Sequence, residues 1–258
     1  MCYVKKIRVP VPDDGTLDLE EKESVLFVTD DAKTAKELRA KGEAVLIYLH
    51  EGNGTQDFSD FSYAVEDPEA LEPEFVDRVY RRLKGLPWNI SKTLRCLIRE
   101  TIPEDVDDFF HIYSDPAITK YMEGLYPEVE QEKQYIREYI EKVYAFYEFG
   151  VWTVIERASG AVIGRAGFAV REGYEEPELG FIIGAPWQGK GIAYEICDAI
   201  LAYGWEMLGF ERVQAMVEPG NTASLKLCEK LGFQVCEQVE IQGKEYIRLL
   251  ADLDHERV

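Results

Sequence analysis

The residues that decide the fold lie between Ile182 and Ile200 and read "IIGAPWQGKGIAYEICDAI". An apolar run typical of a strand is followed by Gly189-Lys190-Gly191 and then by the pattern of an amphipathic helix. A glycine inside a helix costs about 0.5–1 kcal/mol relative to alanine. Two glycines where a helix begins therefore indicate that a ligand approaches the backbone closely.

The helix that follows the glycines has an apolar face at helical spacing. Its residues are Ile192, Ile196, Ile200, Tyr203 and Met207. The start of a helix carries unpaired N–H groups and about half a positive charge. Phosphate is the natural ligand for such a position, because glycine leaves the N–H groups uncovered.

Two well-known phosphate motifs fit this stretch poorly. The spacing from Gly184 to Lys190 matches the opening of a P-loop, but Gly191 stands where Ser or Thr should hold magnesium. The dinucleotide motif needs a glycine where Tyr194 stands. Nucleotide hydrolysis is therefore a weak alternative.

A third pattern, Gln/Arg-x-x-Gly-x-Gly/Ala, is matched by Gln188–Ala193 at every defined position. It is the pyrophosphate loop of the GNAT acyltransferases. The segment "NTASLKLCEKLGF" (Asn221–Phe233) resembles the second hallmark of that superfamily. Its asparagine can cap a helix, and Gly232 can supply the left-handed position that ends it. The resemblance covers roughly residues 92–253 and is closest to the RimJ/RimL-type branch.

The resemblance implies an α+β fold with a mixed central sheet flanked by helices, and acetyl-CoA as acetyl donor in a V-shaped split between two central strands. The backbone of Phe181, Ile182 and Ile183 would meet the pantetheine arm and polarise the thioester carbonyl. The implied cofactor-binding residues are Phe181, Ile182, Ile183, Gln188, Gly189, Lys190, Gly191, Ile192, Ala193, Asn221 and Ser224. For Ser224 a place on the helix surface remains an equal alternative.

The implied reaction is direct acetylation of a primary amine, on a peptide N-terminus or a small molecule. The amine must be neutral to attack, so a general base is useful. Glu178 is the candidate base, because strand alternation places it on one face with Gly180. A solvated glutamate at the end of the strand is an equal alternative for this residue. Glu175 and Glu176 are interpreted as an acidic rim that attracts a cationic amine.

The leaving thiolate needs a proton, which many family members supply from a tyrosine. Cys228 stands at that position, and a thiol with a pKa near 8.5 can donate a proton in principle. Packing on an apolar helix face is the other interpretation of Cys228. The missing tyrosine also motivates an alternative function, a non-catalytic acyl-CoA-binding regulatory protein.

The chain is predicted to contain two domains. Residues 1–90 alternate strands and helices, which predicts a small βαβ-type accessory module with a parallel sheet. Residues 91–258 form the GNAT-like acetyltransferase domain, with one long helix over 128–149 and then three strands in an antiparallel meander. In the long helix Tyr135, Tyr139, Val143 and Phe146 recur at helical spacing, which favours core packing. The alternative is that one of Tyr139, Tyr144 or Tyr147 lines the acceptor pocket.

Composition limits the partners of the protein. The formal net charge of −20 argues against nucleic acid as a partner and permits a cationic substrate. The five cysteines show no metal-binding or disulfide spacing, and the three histidines form no cluster, so no metal is expected. No apolar run is long enough to span a membrane, and we expect a cytoplasmic protein. The N-terminal module is expected to pack on the transferase domain or to help form a homodimer.

Overall fold

The computed structural model describes residues 2–9, 24–122 and 124–254. The chain divides into two compact units, Met1–Trp88 and Asn89–Val258. Each unit has its own sheet, the first with four strands and the second with eight.

The first unit contains a mixed sheet with the strand order β1-β2-β3-β4. Its elements are β1 (Val4–Arg8), β2 (Val25–Thr29), α1 (Ala32–Ala40), β3 (Ala44–Tyr48), β4 (Ala64–Val65) and α2 (Pro73–Leu83). Strands β2, β3 and β4 are parallel, which confirms the prediction from the alternating strands and helices. Strand β1 was not predicted, and it pairs antiparallel with β2 at the edge of the sheet.

The second unit is an α+β fold around a sheet with the order β11-β12-β10-β9-β8-β7-β6-β5. Its elements are β5 (Asn89–Lys92), β6 (Cys96–Arg99), α3 (Val106–Tyr113), α4 (Pro116–Thr119), α5 (Val129–Tyr139), α6 (Ala145–Tyr147), β7 (Val151–Glu156), β8 (Val162–Ala169), β9 (Glu178–Ile183), α7 (Ile192–Glu206), β10 (Arg212–Val217), α8 (Thr222–Lys230), β11 (Gln234–Ile241) and β12 (Lys244–Asp252). The predicted meander of β7, β8 and β9 is confirmed, and both of its pairings are antiparallel.

Helix α7 packs against the centre of this sheet through an aromatic cluster. The ring of Trp152 lies edge-on to the rings of Phe168 and Tyr203, with centroids 6.1 and 5.6 Å away. Gly204 permits the close approach, since a Cβ there would lie 2.9 Å from the ring of Phe168. Met207 was predicted to share the buried face, and this was wrong. The helix ends at Glu206, and Met207 is 51% exposed.

The single long helix predicted over 128–149 is interrupted. α5 ends at Tyr139, a π-helical turn follows over Ile140–Tyr144, and α6 is one short turn. The hydroxyl of Tyr144 donates to the Val151 carbonyl at 2.7 Å, and the hydroxyl of Tyr139 accepts from the Val151 N–H at 2.9 Å. The two tyrosines therefore anchor the start of β7, and their role is structural.

Candidate functional site

Strands β9 and β10 are parallel neighbours that separate after one registered pair, Glu178 with Gln214. At this point the Gln214 N–H donates to the Pro177 carbonyl at 2.9 Å, and the Gln214 side chain donates to the Glu176 carbonyl at 2.7 Å. Beyond this pair β9 remains bonded to β8, and β10 remains bonded to β12. The central sheet therefore has a V-shaped gap that opens toward the carboxyl ends of β9 and β10.

Alternation along β9 decides which backbone groups face this gap. The Pro177 carbonyl points to β10, whereas the Gly184 N–H donates to Ile163 in the opposite direction, toward β8. Successive residues of a strand direct their N–H and C=O groups to alternate sides. Phe181 and Ile183 thus direct these groups into the gap. Ile182 directs its groups to β8 and not into the gap, so its backbone does not face the expected path of the pantetheine arm.

The glycine loop adopts a conformation that suits only glycine. Gly189 and Gly191 have φ values of 70° and 74°, in the left-handed region. A Cβ on Gly189 would meet no atom of the described residues within 4 Å, so the space beside the loop is open with respect to them. The Gln188 side chain donates to the Ile183 carbonyl at 2.7 Å and thereby holds the loop to the end of β9.

Helix α7 begins directly after this loop. Gly191 is its N-terminal cap and offers no side chain, so no capping side chain covers the N–H groups of the first turn. Ile192 is 3% exposed and anchors the turn in the core, while Lys190 is exposed. Uncovered N–H groups, the positive end of the helix and a nearby lysine are what a diphosphate requires. The residues present therefore fit the diphosphate of acetyl-CoA.

An arginine that sequence reasoning missed lies beside the same loop. The Arg95 guanidinium donates to the Lys190 carbonyl at 2.8 Å and to Glu195 Oε2 at 2.6 Å. Its Nη2 atom lies 3.8 Å from the position that a Cβ on Gly191 would occupy. No local pattern could reveal this residue, because Arg95 and Glu195 are far apart in the sequence and meet only in the fold.

A cleft of about 560 Å³ lies along the gap, and we call it the main cleft. It brings together five of the predicted site residues: Glu178, Phe181, Asn221, Ser224 and Cys228. The Asn221 side chain accepts from the Ser224 N–H at 3.2 Å, which confirms the predicted helix cap. Gly232 has a φ of 81° and ends α8 as expected.

The candidate base Glu178 has an ion-pair partner. Both of its oxygens accept hydrogen bonds from the Arg171 guanidinium, and the Nη2 atom donates to Oε1 at 3.1 Å. The acidic rim is smaller than expected, because Glu176 is paired with Arg248 at 2.7 Å and Arg212 at 3.1 Å.

Cys228 borders the main cleft but is completely buried. Burial raises the pKa of its thiol to about 11. A free thiol has a pKa of about 8.5, so Cys228 is the weaker acid, and a proton transfer from it to a departing thiolate is unfavourable. This burial favours the packing interpretation of Cys228.

Within the described ranges, no group of three or more His, Cys, Asp or Glu side chains is arranged to hold a metal ion. The helices in the same ranges are all too short or too polar to cross a bilayer.

A family model described as the acetyltransferase (GNAT) domain matches residues 95–234. The chain belongs to the GNAT family. It is therefore an acyltransferase of the N-acetyltransferase kind, and GNAT enzymes take acetyl-CoA as donor. The P-loop alternative does not fit this family. The matched range contains the glycine loop, the gap between β9 and β10, and helix α8.

Individual relatives agree with the family assignment. The N-acetyltransferase p20 of Bacillus licheniformis is 33% identical over 144 residues, which cover 55% of this chain and 80% of p20. The ribosomal protein uS5-alanine N-acetyltransferase of Escherichia coli is 35% identical over 101 residues, which cover 38% of this chain and 50% of that enzyme. The structure of a GnaT-family acetyltransferase from Bordetella pertussis has a TM-score of 0.53 at 26% identity, with 62% of this chain and 97% of that chain covered.

Proposed function

We propose that this GNAT enzyme transfers an acetyl group directly from acetyl-CoA to a primary amine. The acceptor is the α-amine of a protein or the amine of a small molecule. The observation that carries the proposal is the open glycine loop Gln188–Gly191 at the start of α7, directly beside the gap between β9 and β10. The uS5-alanine N-acetyltransferase of Escherichia coli supports the protein α-amine as one of the two acceptor classes.

The donor would lie along the gap, with its diphosphate on the N–H groups of the loop and of the first turn of α7. Acetyl-CoA supplies the activated thioester. The N–H groups of Phe181 and Ile183 would stabilise the oxygen that becomes negative during the transfer. Loss of one such donor typically raises the barrier by about 2.7–4 kcal/mol. Because these donors belong to the backbone, substitution of either side chain is expected to have little effect on them.

The amine must lose a proton before it attacks. At pH 7 this costs about 4.6 kcal/mol for a lysine-like amine with a pKa of about 10.4, and about 1 kcal/mol for an α-amine near 7.8. We propose Glu178 as the base that accepts this proton, because it lines the main cleft at the start of β9. It must release one hydrogen bond from Arg171 to do so.

Calorimetry with acetyl-CoA tests the proposal, followed by detection of released CoA with a panel of amines. We expect saturable heat and then turnover with at least one amine. Absence of heat and of any thermal shift at millimolar acetyl-CoA would contradict the proposal. Binding of acetyl-CoA without release of CoA for any amine would instead favour the non-catalytic alternative. The relatives named above give that alternative no support.

A further inference from the structure

A second cavity of about 460 Å³ lies between helices α3 and α5 and strand β8. We call it the tyrosine cavity. Its walls include Tyr113, Tyr126, Tyr135, Glu132 and Arg165. It therefore contains one positive and one negative side chain among aromatic rings.

Arg165 is the positive group, and its guanidinium retains unused hydrogen-bonding capacity. Its Nε atom is buried and has no hydrogen-bond partner, and within the described part of the chain Arg165 forms no ion pair. The guanidinium lies over the ring of Phe109, 4.7 Å from the centroid, and beside the Tyr113 hydroxyl. Burial raises the pKa of Tyr113, so this residue remains a neutral hydroxyl.

Glu132 is the negative group and is 2% exposed. Its Oε2 atom accepts from the Tyr126 N–H at 3.0 Å. Across the described residues its other oxygen receives no hydrogen bond from protein. The single bond fixes the segment Gly124–Pro127 as a wall of the cavity.

Opposite charges that are removed from water are normally paired directly, because desolvation of each is expensive. Here they face one cavity without forming an ion pair, and each retains hydrogen-bonding capacity. A zwitterion supplies both missing partners, a carboxylate for a guanidinium and an ammonium for a carboxylate. We infer that the tyrosine cavity binds the head group of an amino acid, with the α-carboxylate on Arg165 and the α-ammonium on Glu132.

The position of the cavity suits an acceptor subsite. Arg165 lies directly opposite Ile182 in the β8–β9 ladder. Its diagonal neighbour is Gly180, at a distance of about 7–8 Å for such pairs, and Gly180 lines the main cleft. Tyr121 and Met122 line the main cleft, and the tyrosine cavity begins at Gly124.

These contacts define the substrate class, and this step depends on the proposed function. An α-ammonium held by Glu132 is protonated and cannot attack a thioester. The acetylated group must then be a second amine on the side chain of the same molecule. The acceptor class is a diamino acid, whose distal amine reaches the main cleft.

A matched set of acceptors tests this inference. L-Lysine is compared with 1,5-diaminopentane, which lacks the carboxylate, and with 6-aminohexanoate, which lacks the α-amine. L-Ornithine and 2,4-diaminobutyrate vary the length. We expect kcat/KM for the best diamino acid to exceed that of each of its two truncated analogues by at least tenfold, because each analogue leaves one charge of the cavity unpaired. Equal kcat/KM across the set would overturn the inference.

Two variants assign the charges. R165M should abolish the preference for the diamino acid over 1,5-diaminopentane. E132Q should abolish the preference for the diamino acid over 6-aminohexanoate. R137M and E138Q, on the exposed face of α5, are the matched controls and should retain both preferences. Melting curves establish that each variant is folded. If R165M retained the preferences as R137M does, the inference would be wrong.

Equilibrium binding separates this inference from the proposed function. Saturation-transfer NMR measures the binding of the same acceptors to the wild-type protein without any need for turnover. Because it uses the wild-type protein, the result does not depend on whether the variants fold. Stronger binding of a diamino acid than of both analogues supports the inference even if acetyl-CoA does not bind. Normal calorimetry with acetyl-CoA, but no discrimination among the acceptors, refutes the inference and leaves the proposed function intact.

Discussion

Glu195 on α7 receives hydrogen bonds from both the backbone and the side chain of Arg95. The Arg95 N–H donates to Oε1 at 2.8 Å and its guanidinium to Oε2 at 2.6 Å, while the Thr93 hydroxyl donates to Oε1 at 2.6 Å. The same guanidinium reaches the carbonyl of Lys190. This pair therefore fixes the turn between β5 and β6 to the glycine loop and places a cation beside it.

The first prediction concerns Arg95. R95M should weaken acetyl-CoA binding at least fivefold, because the loop loses its anchor and the site loses a positive charge. Calorimetry measures the change. Arg157 is the matched control, since its guanidinium donates to the Thr93 and Leu94 carbonyls of the same turn. An equal loss of acetyl-CoA affinity in R157M would mean that the affinity depends on the conformation of the turn and not on the contact of Arg95 with the glycine loop.

The second prediction concerns pH. Burial alone would raise the pKa of Glu195, but the hydrogen bonds from Thr93 and Arg95 lower it below the ordinary value of 4.5. A carboxylate whose pKa is lower in the folded state adds stability above its unfolded pKa and loses it as the pH falls through the folded pKa. E195Q should therefore destabilise the protein most near pH 7 and progressively less below about pH 4.5.

Urea unfolding of wild type and E195Q at several pH values between 7 and 3 measures this difference. E206Q, at the exposed end of the same helix, is the control and should show a small difference at every pH. A difference for E195Q that stayed constant down to pH 3 would contradict the assigned hydrogen bonds.

The third prediction compares two glycines with the same backbone strain. Gly191 and Gly209 have φ values of 74° and 68°, and among the residues that the structure describes a Cβ on either would meet no atom closer than 3.8 Å. Substitution by alanine should destabilise each by about 1–2 kcal/mol. Only G191A should raise the Kd for acetyl-CoA, by tenfold or more, because its Cβ occupies the space proposed for the diphosphate. Equal Kd values for the two variants would exclude a diphosphate at this loop.

The fourth prediction tests the proposed base. E178Q should lower kcat/KM by about 10²–10⁴-fold for an alkyl amine acceptor, the usual contribution of general base catalysis. The loss should be smaller for an acceptor whose pKa lies near 7.8, since less deprotonation is required. The Kd for acetyl-CoA should not change. E175Q, at an exposed glutamate nearby, is the control. Activity of E178Q within threefold of wild type would remove Glu178 from the mechanism.

The fifth prediction concerns Cys228. Its raised pKa, about 11, follows from burial, so the thiol should contribute little to proton transfer. C228S should retain kcat within about threefold, whereas a lost general acid would lower kcat about 10²–10⁴-fold. Ellman's reagent should label the exposed Cys2 and Cys236 in the native protein and leave Cys228 unreacted. A large loss of kcat at unchanged acetyl-CoA affinity would restore the acid role.

Local sequence patterns were sufficient to predict many of the helices and strands of the second unit. The meander, the start of α7 and both ends of α8 follow from features within a few residues, such as alternation, caps and glycines with positive φ. Local patterns did not predict features that depend on contacts between segments distant in the sequence. The break in α5 depends on the bonds of Tyr139 and Tyr144 to Val151, and the edge strand β1 depends on its pairing with β2.

The sequence by itself determined the glycine loop, the helix that it begins and the family to which the chain belongs, because each of these is encoded by neighbouring residues. Only the tertiary structure decided the separation of β9 from β10, the contact of Arg95 with Glu195 and the meeting of Arg165 and Glu132 in one cavity. The physical reason is that strand pairing and burial bring together residues whose separation in the sequence carries no signal of their distance in space.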